Sequence, residues 1–313
     1  AGHAVDALWD AAAEIDLHVL RLVRGLLRRS GPFEHVVGWL VPGVFQRAAL
    51  KGDVQQVGVL APGLGLADGH GDAVLFGVVG LDPKDIFVVS FMPCTAKKFE
   101  VAREHQNAAG VPDVDVSLTT RELASMIKRA GILFTELKDE EADPALGIAS
   151  GAGHIFGATG GVMEAALRTV AELVTGKPLD DLNFRAVRGV EAIKEAEYDL
   201  NGTKVRVAVT SGLENASKLL DMVRSGEKDY HFIEIMACPG GCVNGGGQPH
   251  QPGYVRNFID LRAERAKALY SEDEAMTLRK SHENPMVKKL YDEYLEKPGS
   301  HKAHELLHTE YQE

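Results

Sequence analysis

Two short apolar segments, each followed closely by a cysteine, constrain the fold of this 313-residue chain more than any other feature. Residues 85–90 (DIFVVS) precede Cys94, and residues 231–235 (HFIEI) precede Cys238. Apolar runs of this length, bounded by charged residues, are typical of strands buried in a parallel sheet. Ligands gather beyond the carboxyl ends of such strands, so we expect both cysteines to lie in one crevice at the edge of a single sheet.

Turn signals near the second segment support an α/β architecture. Asn201 and Gly202 separate two predicted strands and form the pair favoured in type I′ hairpins, because both positions need positive φ. A strand over Val205–Thr210, a helix over Ala216–Arg224 and a strand over His231–Ile235 then make a β-α-β unit.

Helical periodicity and cap residues place the remaining elements around this sheet. Thr119 or Thr120 can cap a helix to about Arg129, and the GATGG sequence at 157–161 opens another that runs to Gly176. Further helices are predicted at 5–29, 261–270, 285–295 and 301–308, whereas residues 31–80 show no clean period. The predicted fold class is α/β, with a parallel-sheet core flanked by helices and a helical C-terminal region.

Composition restricts the class of function. Hydrophobic residues make up 45% of the chain, which allows a full core, and the formal net charge of −11 argues against a nucleic-acid partner. The N-terminus lacks the residue order of a signal peptide, and the apolar stretch Val36–Phe45 is too short to span a bilayer. We therefore expect a cytoplasmic protein without membrane segments, in which three reduced cysteines serve a metal or catalysis.

The pair Cys238-x-x-x-Cys242 lies in a glycine-rich loop. Glycines at 240, 241 and 245–247 let the backbone approach a bulky inorganic group closely. Structural zinc prefers two cysteine pairs in a closed tetrahedral site, and a second pair is missing here. Spacing alone favours an iron-sulfur group, with zinc and a set of structural or free thiols as alternatives.

The neighbours of the cysteines strengthen the metal hypothesis. Met92 and Met236 each lie two residues before a cysteine, where apolar side chains would exclude water from a metal site. Lys97 lies three residues after Cys94 and can direct an ammonium group at an anionic ligand. Taken singly, the methionines read as ordinary core and the lysine as a solvated helix residue.

Long motifs identify a family resemblance. FMPCTAKKFE (91–100) and EIMACPGGCVNGGGQP (234–249) resemble the second and third signature motifs of the [FeFe]-hydrogenase catalytic, or H-cluster, domain. The resemblance continues through GHIFGATGGVMEAALRT (153–169) and the tail LRKSHENPMVKKLYDEYLEKPGSHKAHELLH (278–308), and it covers about residues 79–313. It is similar in particular to the catalytic subunit of NAD(P)-linked multisubunit hydrogenases.

The resemblance implies a cofactor and roles for the motif residues. Cys94, beside Pro93, and Cys238 would ligate a [4Fe-4S] cubane, and Cys242 would bridge it to a two-iron centre that carries CO, cyanide and a dithiolate. Lys97 would donate a hydrogen bond to a cyanide. An apolar wall would be formed by Met92, Met236, Phe156 and Gly157. The implied reaction is 2H⁺ + 2e⁻ ⇌ H₂, with the cofactor carrying the chemistry.

The first motif of the family, Thr-Ser-Cys-Cys-Pro-x-Trp, is absent. Its expected place falls in VVGWLVPGV (36–44), where Leu40 and Val41 stand in place of a cubane ligand and a proton-passing thiol. Residues 1–78 also lack Thr, Asn, Tyr, Met and Cys, so we treat them as a separate segment before a cluster-binding domain at 79–313. Three interpretations are open: a reading-frame change in the gene, a cluster completed by water, another chain or His35, or a non-catalytic relative.

Partners follow from the same resemblance. The chain has no C-x-x-C-x-x-C run for relay clusters, so electrons would come from a ferredoxin or an NAD(P)-linked flavin or iron-sulfur subunit, in a hetero-oligomer. Maturation proteins would insert the two-iron centre. The alternative function is a non-catalytic iron-sulfur protein on the same fold, either an assembly factor or a sensor.

Overall fold

A computed structural model describes residues 36–41, 44–50, 84, 86–103, 106–107, 110–138, 148–189, 191–298 and 300–303. The chain divides into two compact units. The first comprises residues 1–15, 150–245 and 250–282, and the second comprises 16–149, 246–249 and 283–313. The N-terminal helix predicted at 5–29 lies outside the described residues, as do His35 and residues 304–313.

The second unit contains a four-stranded sheet. In sheet order its strands are β1 (Val36–Val41), β2 (Val44–Leu50), β3 (Ile86–Met92) and β4 (Val116–Thr119). The pairs β1–β2 and β2–β3 are antiparallel, whereas β3 and β4 are parallel. The sequence prediction missed β1 and β2, because residues 31–80 carry no periodic signal.

Short helices flank this sheet. Strand β3 leads through Cys94 into α1 (Lys97–Glu100), and β4 leads directly into α2 (Thr120–Arg129). The Thr119 hydroxyl accepts the amide of Glu122, and the Glu122 carboxylate accepts the amide of Thr119, which is the reciprocal capping box that starts a helix. A small core packs α2 on the sheet, with these members: Phe87, Val89, Phe91, Val116, Leu118, Leu123 and Ile127. The predicted strand at 85–90 and helix to Arg129 are confirmed.

The first unit contains a three-stranded sheet in the order β5 (Ile193–Leu200), β6 (Thr203–Ser211) and β7 (Phe232–Met236). Strands β5 and β6 form an antiparallel hairpin, and β6 and β7 run parallel. Asn201 and Gly202 have φ values of 56° and 85°, as the predicted type I′ turn requires.

Helices surround the second sheet in the same unit. They are α3 (Gly151–His154), α4 (Gly161–Thr175), α5 (Leu213–Arg224), α6 (Gly253–Arg256) and α7 (Leu261–Ala275). A 3₁₀ turn over Ile155–Gly157 joins α3 to α4, and Gly176 ends α4 in the left-handed conformation, as predicted. The core between α4 and the sheet consists of Met163, Leu167, Val170, Val187, Val205, Val207, Val209 and Phe232.

A buried ion network ties α4 to α7. The Arg168 guanidinium is fully buried and donates to both carboxylate oxygens of Asp273 at 2.8 Å and to Glu164 at 2.9 Å. It also donates to the carbonyl oxygens of Leu182 and Arg279, each at 2.9 Å. Because every charge has a partner, the network joins distant segments without leaving a buried ion uncompensated.

The C-terminal part of the second unit is helical, as predicted. Helix α8 (Pro285–Leu290) is capped by the Asn284 side chain and continues into a π-helical turn over Tyr291–Leu295. None of the described helices is long and apolar enough to cross a membrane.

The α/β fold class is confirmed, but the arrangement of the sheet differs from the expectation. Strands β3 and β7, which precede Cys94 and Cys238, belong to two separate sheets among the described residues, and each sheet mixes parallel and antiparallel pairs. The parallel pairs are β3–β4 and β6–β7, and the two strands that precede the cysteines each belong to one of them. The antiparallel pair β2–β3 was not predicted, because residues 31–80 show no clean period.

Candidate metal centre

None of the three cysteines forms a disulfide among the described residues, and all three are half-buried. Each lies just beyond the end of a strand that has a parallel neighbour, Cys94 after β3 and Cys238 after β7, with Cys242 four residues further on. Partly accessible thiols at such positions are suited to binding a metal.

The site of Cys94 is built from β3 and a glycine strip. The Gly247 amide donates to the carbonyl oxygen of Pro93 at 2.9 Å. A Cβ atom at Gly247 would lie 2.8 Å from the Pro93 carbonyl carbon and 2.9 Å from the Cys94 nitrogen. Arg121 holds the strip in place by donating to the carbonyl oxygens of Gly246 at 2.7 Å and Gln248 at 2.6 Å. The second and third sequence motifs therefore contact each other directly within the second unit.

The motif residues around Cys94 differ in exposure. Met92 is buried at 4% exposure and Pro93 is also buried, so this flank of the cysteine is apolar. Lys97 is one-fifth exposed, and its Nζ donates to the carboxylate of Glu100 one helical turn later.

The site of Cys238 and Cys242 is a tight loop after β7. The Gly241 amide donates to the Cys238 carbonyl oxygen at 2.9 Å, and the Gly245 amide donates to the Cys242 carbonyl oxygen at 2.9 Å. Arg265 of α7 donates to the carbonyl oxygen of Val243 at 2.9 Å. These bonds fix the backbone on which both sulfur atoms are carried.

The predicted apolar wall packs on this loop. Gly241 has a φ of 97°, and a Cβ there would lie 2.7 Å from the carbonyl oxygen of Gly157 and 2.7 Å from the amide of Thr159. The amide of Thr159 donates to the carbonyl oxygen of Gly240 at 3.2 Å. The structure thus places Gly157 directly against the loop of Cys238 and Cys242. Phe156 precedes Gly157 in the same turn and is half-buried, as is Met236 at the end of β7.

The close approach of the glycines differs from the role expected from the sequence. Gly241 and Gly247 contact protein backbone, and Gly240 lies against the side chain of Arg262, where a Cβ would be 3.1 Å from Cδ. These glycines are needed because the loop packs closely on neighbouring parts of the protein. This requirement is the same whichever ligand the thiols bind.

Sequence reasoning missed a buried carboxylate behind the loop. Glu234, in β7, is 6% exposed and accepts the amides of Gly160 at 2.6 Å and Met163 at 2.8 Å. Burial raises the pKa of its carboxyl group, although both amides act in the opposite direction. The available signal was a single acidic residue inside an otherwise apolar strand.

The donor set and the surroundings fit part of an iron-sulfur centre. In the second unit, Cys94 lies beside the buried, apolar Met92, and in the first unit Cys238 and Cys242 lie on a loop with a tightly held backbone. Each of these surroundings suits the soft, dry environment of such a group. Thr159 Oγ1 is also buried beside the loop without a hydrogen-bond partner among the described residues. A cubane takes four thiolate ligands, whereas the chain has three cysteines, and Leu40 and Val41 carry no ligand atom.

Together these features define an α/β protein with cysteines that follow strand ends. The chain matches the model of the iron only hydrogenase large subunit, C-terminal domain, over residues 75–246, and that of the iron hydrogenase small subunit over residues 259–313. The first match covers more than half of the chain, and the chain belongs to the iron-only hydrogenase family.

Individual relatives agree with this assignment. Iron hydrogenase 1 of Clostridium pasteurianum is 52% identical over 75% of this chain and 41% of its own length, and the NADP-reducing hydrogenase subunit HndD of Solidesulfovibrio fructosivorans is 48% identical over 75% and 39%. A structure of [FeFe]-hydrogenase HydA1 from Chlamydomonas reinhardtii superposes with a TM-score of 0.65 and 36% identity, covering 99% of this chain and 80% of that one. The chain spans about two fifths of the length of these curated relatives.

More distant relatives are described differently. Protein NAR1 of Arabidopsis thaliana is 31% identical over 74% of this chain and 51% of its own length, and cytosolic iron-sulfur assembly component 3 of Bos taurus is 30% identical over 74% and 48%.

Proposed function

We propose that this chain is the cluster-binding domain of an [FeFe]-hydrogenase that interconverts 2H⁺ + 2e⁻ and H₂. The observation that carries the proposal is the joint presence, in a family member, of all three motif cysteines together with Lys97 and the two methionines. When bound, the two-iron centre supplies the metal chemistry of hydrogen cleavage. The protein supplies orientation, polarity and access.

The residues have distinct parts in this proposal. Cys94, Cys238 and Cys242 would hold the cofactor through their thiolates, and Cys242 would be the one that also retains the two-iron centre. Met92, Met236, Phe156 and Gly157 exclude water. A lysine ammonium in a dry pocket forms a strong charge-assisted hydrogen bond with an anion such as cyanide, which is the role of Lys97. In the structure this ammonium group donates to the carboxylate of Glu100, one helical turn later in α1.

Infrared spectroscopy on anaerobically matured protein tests the proposal. Bound CO and cyanide absorb where proteins do not, and iron content and visible absorbance report the cubane separately. We expect CO and cyanide bands in the wild-type protein and their loss in Cys242→Ala. Cubane iron without such bands in the wild type would exclude the hydrogenase function.

An iron-sulfur assembly function is the second candidate. It is favoured by the residues at the expected first motif, Leu40 and Val41, which supply neither a ligand nor a proton-donating thiol, and by the relatives named for iron-sulfur assembly. A cubane-only protein that transfers its cluster to an acceptor apoprotein would support this function.

The proposed domain boundary lies at residue 78, with the cluster-binding domain over 79–313. Sequencing of the gene stretch that encodes residues 1–78 tests it, because a frame change there would restore a cysteine pair before Cys94. We also propose a redox partner, either a ferredoxin or an NAD(P)-linked subunit, which is consistent with a relative named as an NADP-reducing hydrogenase subunit. Reduction of the matured protein by each candidate donor distinguishes them.

A further inference from the structure

Glu234 occupies an unusual position for a carboxylate. It lies within β7, four residues before Cys238, and its two oxygens accept the amides of Gly160 at 2.6 Å and Met163 at 2.8 Å. Those amides belong to the N-terminus of α4, a 15-residue helix. The first amides of a helix have no carbonyl acceptor within the helix itself. The carboxylate therefore fastens the start of α4 to the strand that leads into the cysteine loop.

Lys194 fastens the same turn from the opposite side. It lies in β5 and is 6% exposed, and its Nζ donates to the carbonyl oxygens of Thr159 at 3.0 Å and Gly189 at 2.9 Å. Burial lowers the pKa of this lysine, while the charges of Glu234 and Glu191 act to raise it. The two buried charges thus compensate each other across residues 159 and 160.

The turn over residues 157–160 is in close contact with its neighbours. Gly160 has a φ of 97°, and a Cβ at this position would collide with the carbonyl oxygen of Val187. On its other side the turn meets the cysteine loop through the bond from the Thr159 amide to the Gly240 carbonyl oxygen and through the close contact of Gly157 with Gly241. A displacement of the turn is therefore transmitted to the loop of Cys238 and Cys242.

We propose that Glu234 and Lys194 are positioning residues that clamp the 157–160 turn against the cysteine loop and so set the shape and polarity of the two-iron site. The proposal rests on the proposed function for its spectroscopic consequence, but the clamp itself is a property of the described residues. Neither side chain is assigned a contact with the cofactor.

Glu234→Gln is the direct test. The amide keeps one acceptor oxygen but presents an NH₂ group to the second backbone amide. It also removes one of the two carboxylate charges, those of Glu234 and Glu191, that act on Lys194. A buried donor left without an acceptor in a rigid network lowers the equilibrium constant for the native arrangement by several-fold to about a hundredfold. We expect about a tenfold faster loss of the two-iron centre, corresponding to about 1.4 kcal/mol, together with shifted and broadened CO and cyanide bands.

Glu172→Gln is the matched control. Glu172 also accepts a backbone amide, that of Leu179 at 2.9 Å, and a lysine, Lys280 at 2.8 Å, in the same unit but away from the cysteine loop. It therefore reproduces the loss of a charged acceptor and of a lysine partner. We expect lowered stability with wild-type band positions. Equal band shifts in both variants, or unchanged bands in Glu234→Gln, would overturn the proposal.

Hydrogen exchange on the cofactor-free chain separates this inference from the proposed function. In Glu234→Gln, protection of the Thr159 and Gly160 amides should fall about tenfold more than protection of strand β6, which reports global stability. Local protection that follows β6 would overturn the clamp. Absence of CO and cyanide bands in the wild type would instead refute the hydrogenase function. The hydrogen-exchange result would still show whether Glu234 holds the turn in place.

A double-mutant cycle tests the pairing of the two charges. Lys194→Met removes the ammonium, and the Glu234→Gln/Lys194→Met double variant removes both charges. If the residues act as a pair, the double variant loses less protection at Thr159 than the sum of the single variants. Strict additivity would show that they act independently and would contradict the paired clamp.

Discussion

Gly241→Ala should push the loop of Cys238 and Cys242 away from the turn that contains Gly157. Gly241 has φ 97° and ψ −169°, a backbone region that is essentially restricted to glycine and costs other residues of order 1–3 kcal/mol. The new Cβ would lie 2.7 Å from the Gly157 carbonyl oxygen, 2.7 Å from the Thr159 amide nitrogen and 2.9 Å from the Ala158 carbonyl carbon. All three are backbone atoms, which cannot rotate away as a side chain can.

The size of the displacement follows from these distances. Ordinary van der Waals contact begins at about 3.4 Å, so the loop must retreat from the turn by about 0.7 Å. Functional sites are held to within about 0.5 Å, so this movement exceeds what a preorganised cofactor site tolerates. We expect weaker retention of the two-iron centre and a loss of about 2–4 kcal/mol in the free energy of unfolding, the strain cost plus about 1 kcal/mol for the lost packing.

Gly176→Ala is the control for backbone strain alone. Gly176 has φ 65° and ψ 19° at the end of α4, and nothing lies within 4 Å of its Cβ position. The left-handed conformation costs alanine about 1–2 kcal/mol, without any effect on the cysteine loop. Urea unfolding of the cofactor-free chains, and iron content with infrared bands of the matured ones, measure both effects. If Gly241→Ala keeps wild-type bands and loses no more stability than Gly176→Ala, the contact between loop and wall does not matter.

Three further predictions concern single side chains. Lys97→Asn should prevent stable insertion of the two-iron centre while cubane iron is retained. Its control is Lys98→Asn, which removes a surface ammonium group that donates to the Ser117 carbonyl oxygen. Normal maturation of Lys97→Asn would refute the cyanide role. Arg168→Met should lower the free energy of unfolding by about 3–5 kcal/mol in urea, because it leaves buried carboxylates short of a partner. Burial lowers the pKa of His154 to about 4, below its ordinary value of 6.5, so protonation favours the unfolded chain and stability should fall as the pH drops from 6.5 toward 4. A His154→Gln variant whose unfolding temperature shows the same slope over that range would contradict this assignment.

The sequence by itself determined the local elements of this protein. Asn201-Gly202 specified the hairpin, Thr119 with Glu122 specified the start of α2, and Gly176 specified the end of α4, because each signal acts through neighbouring backbone. The apolar runs before Cys94 and Cys238 likewise identified β3 and β7, and the motifs around them identified the family.

Only the tertiary structure decided how these elements are joined. It divided the strands between two sheets, made β2 the antiparallel neighbour of β3, and set Glu234 on amides 74 and 71 residues away, at Gly160 and Met163. It also showed that Gly241 and Gly247 contact backbone of their own fold. Strand pairing and buried polar contacts depend on residues that are far apart in the chain. The packing of the whole core brings these residues together, so neither partner segment carries a periodic pattern that would predict the contact.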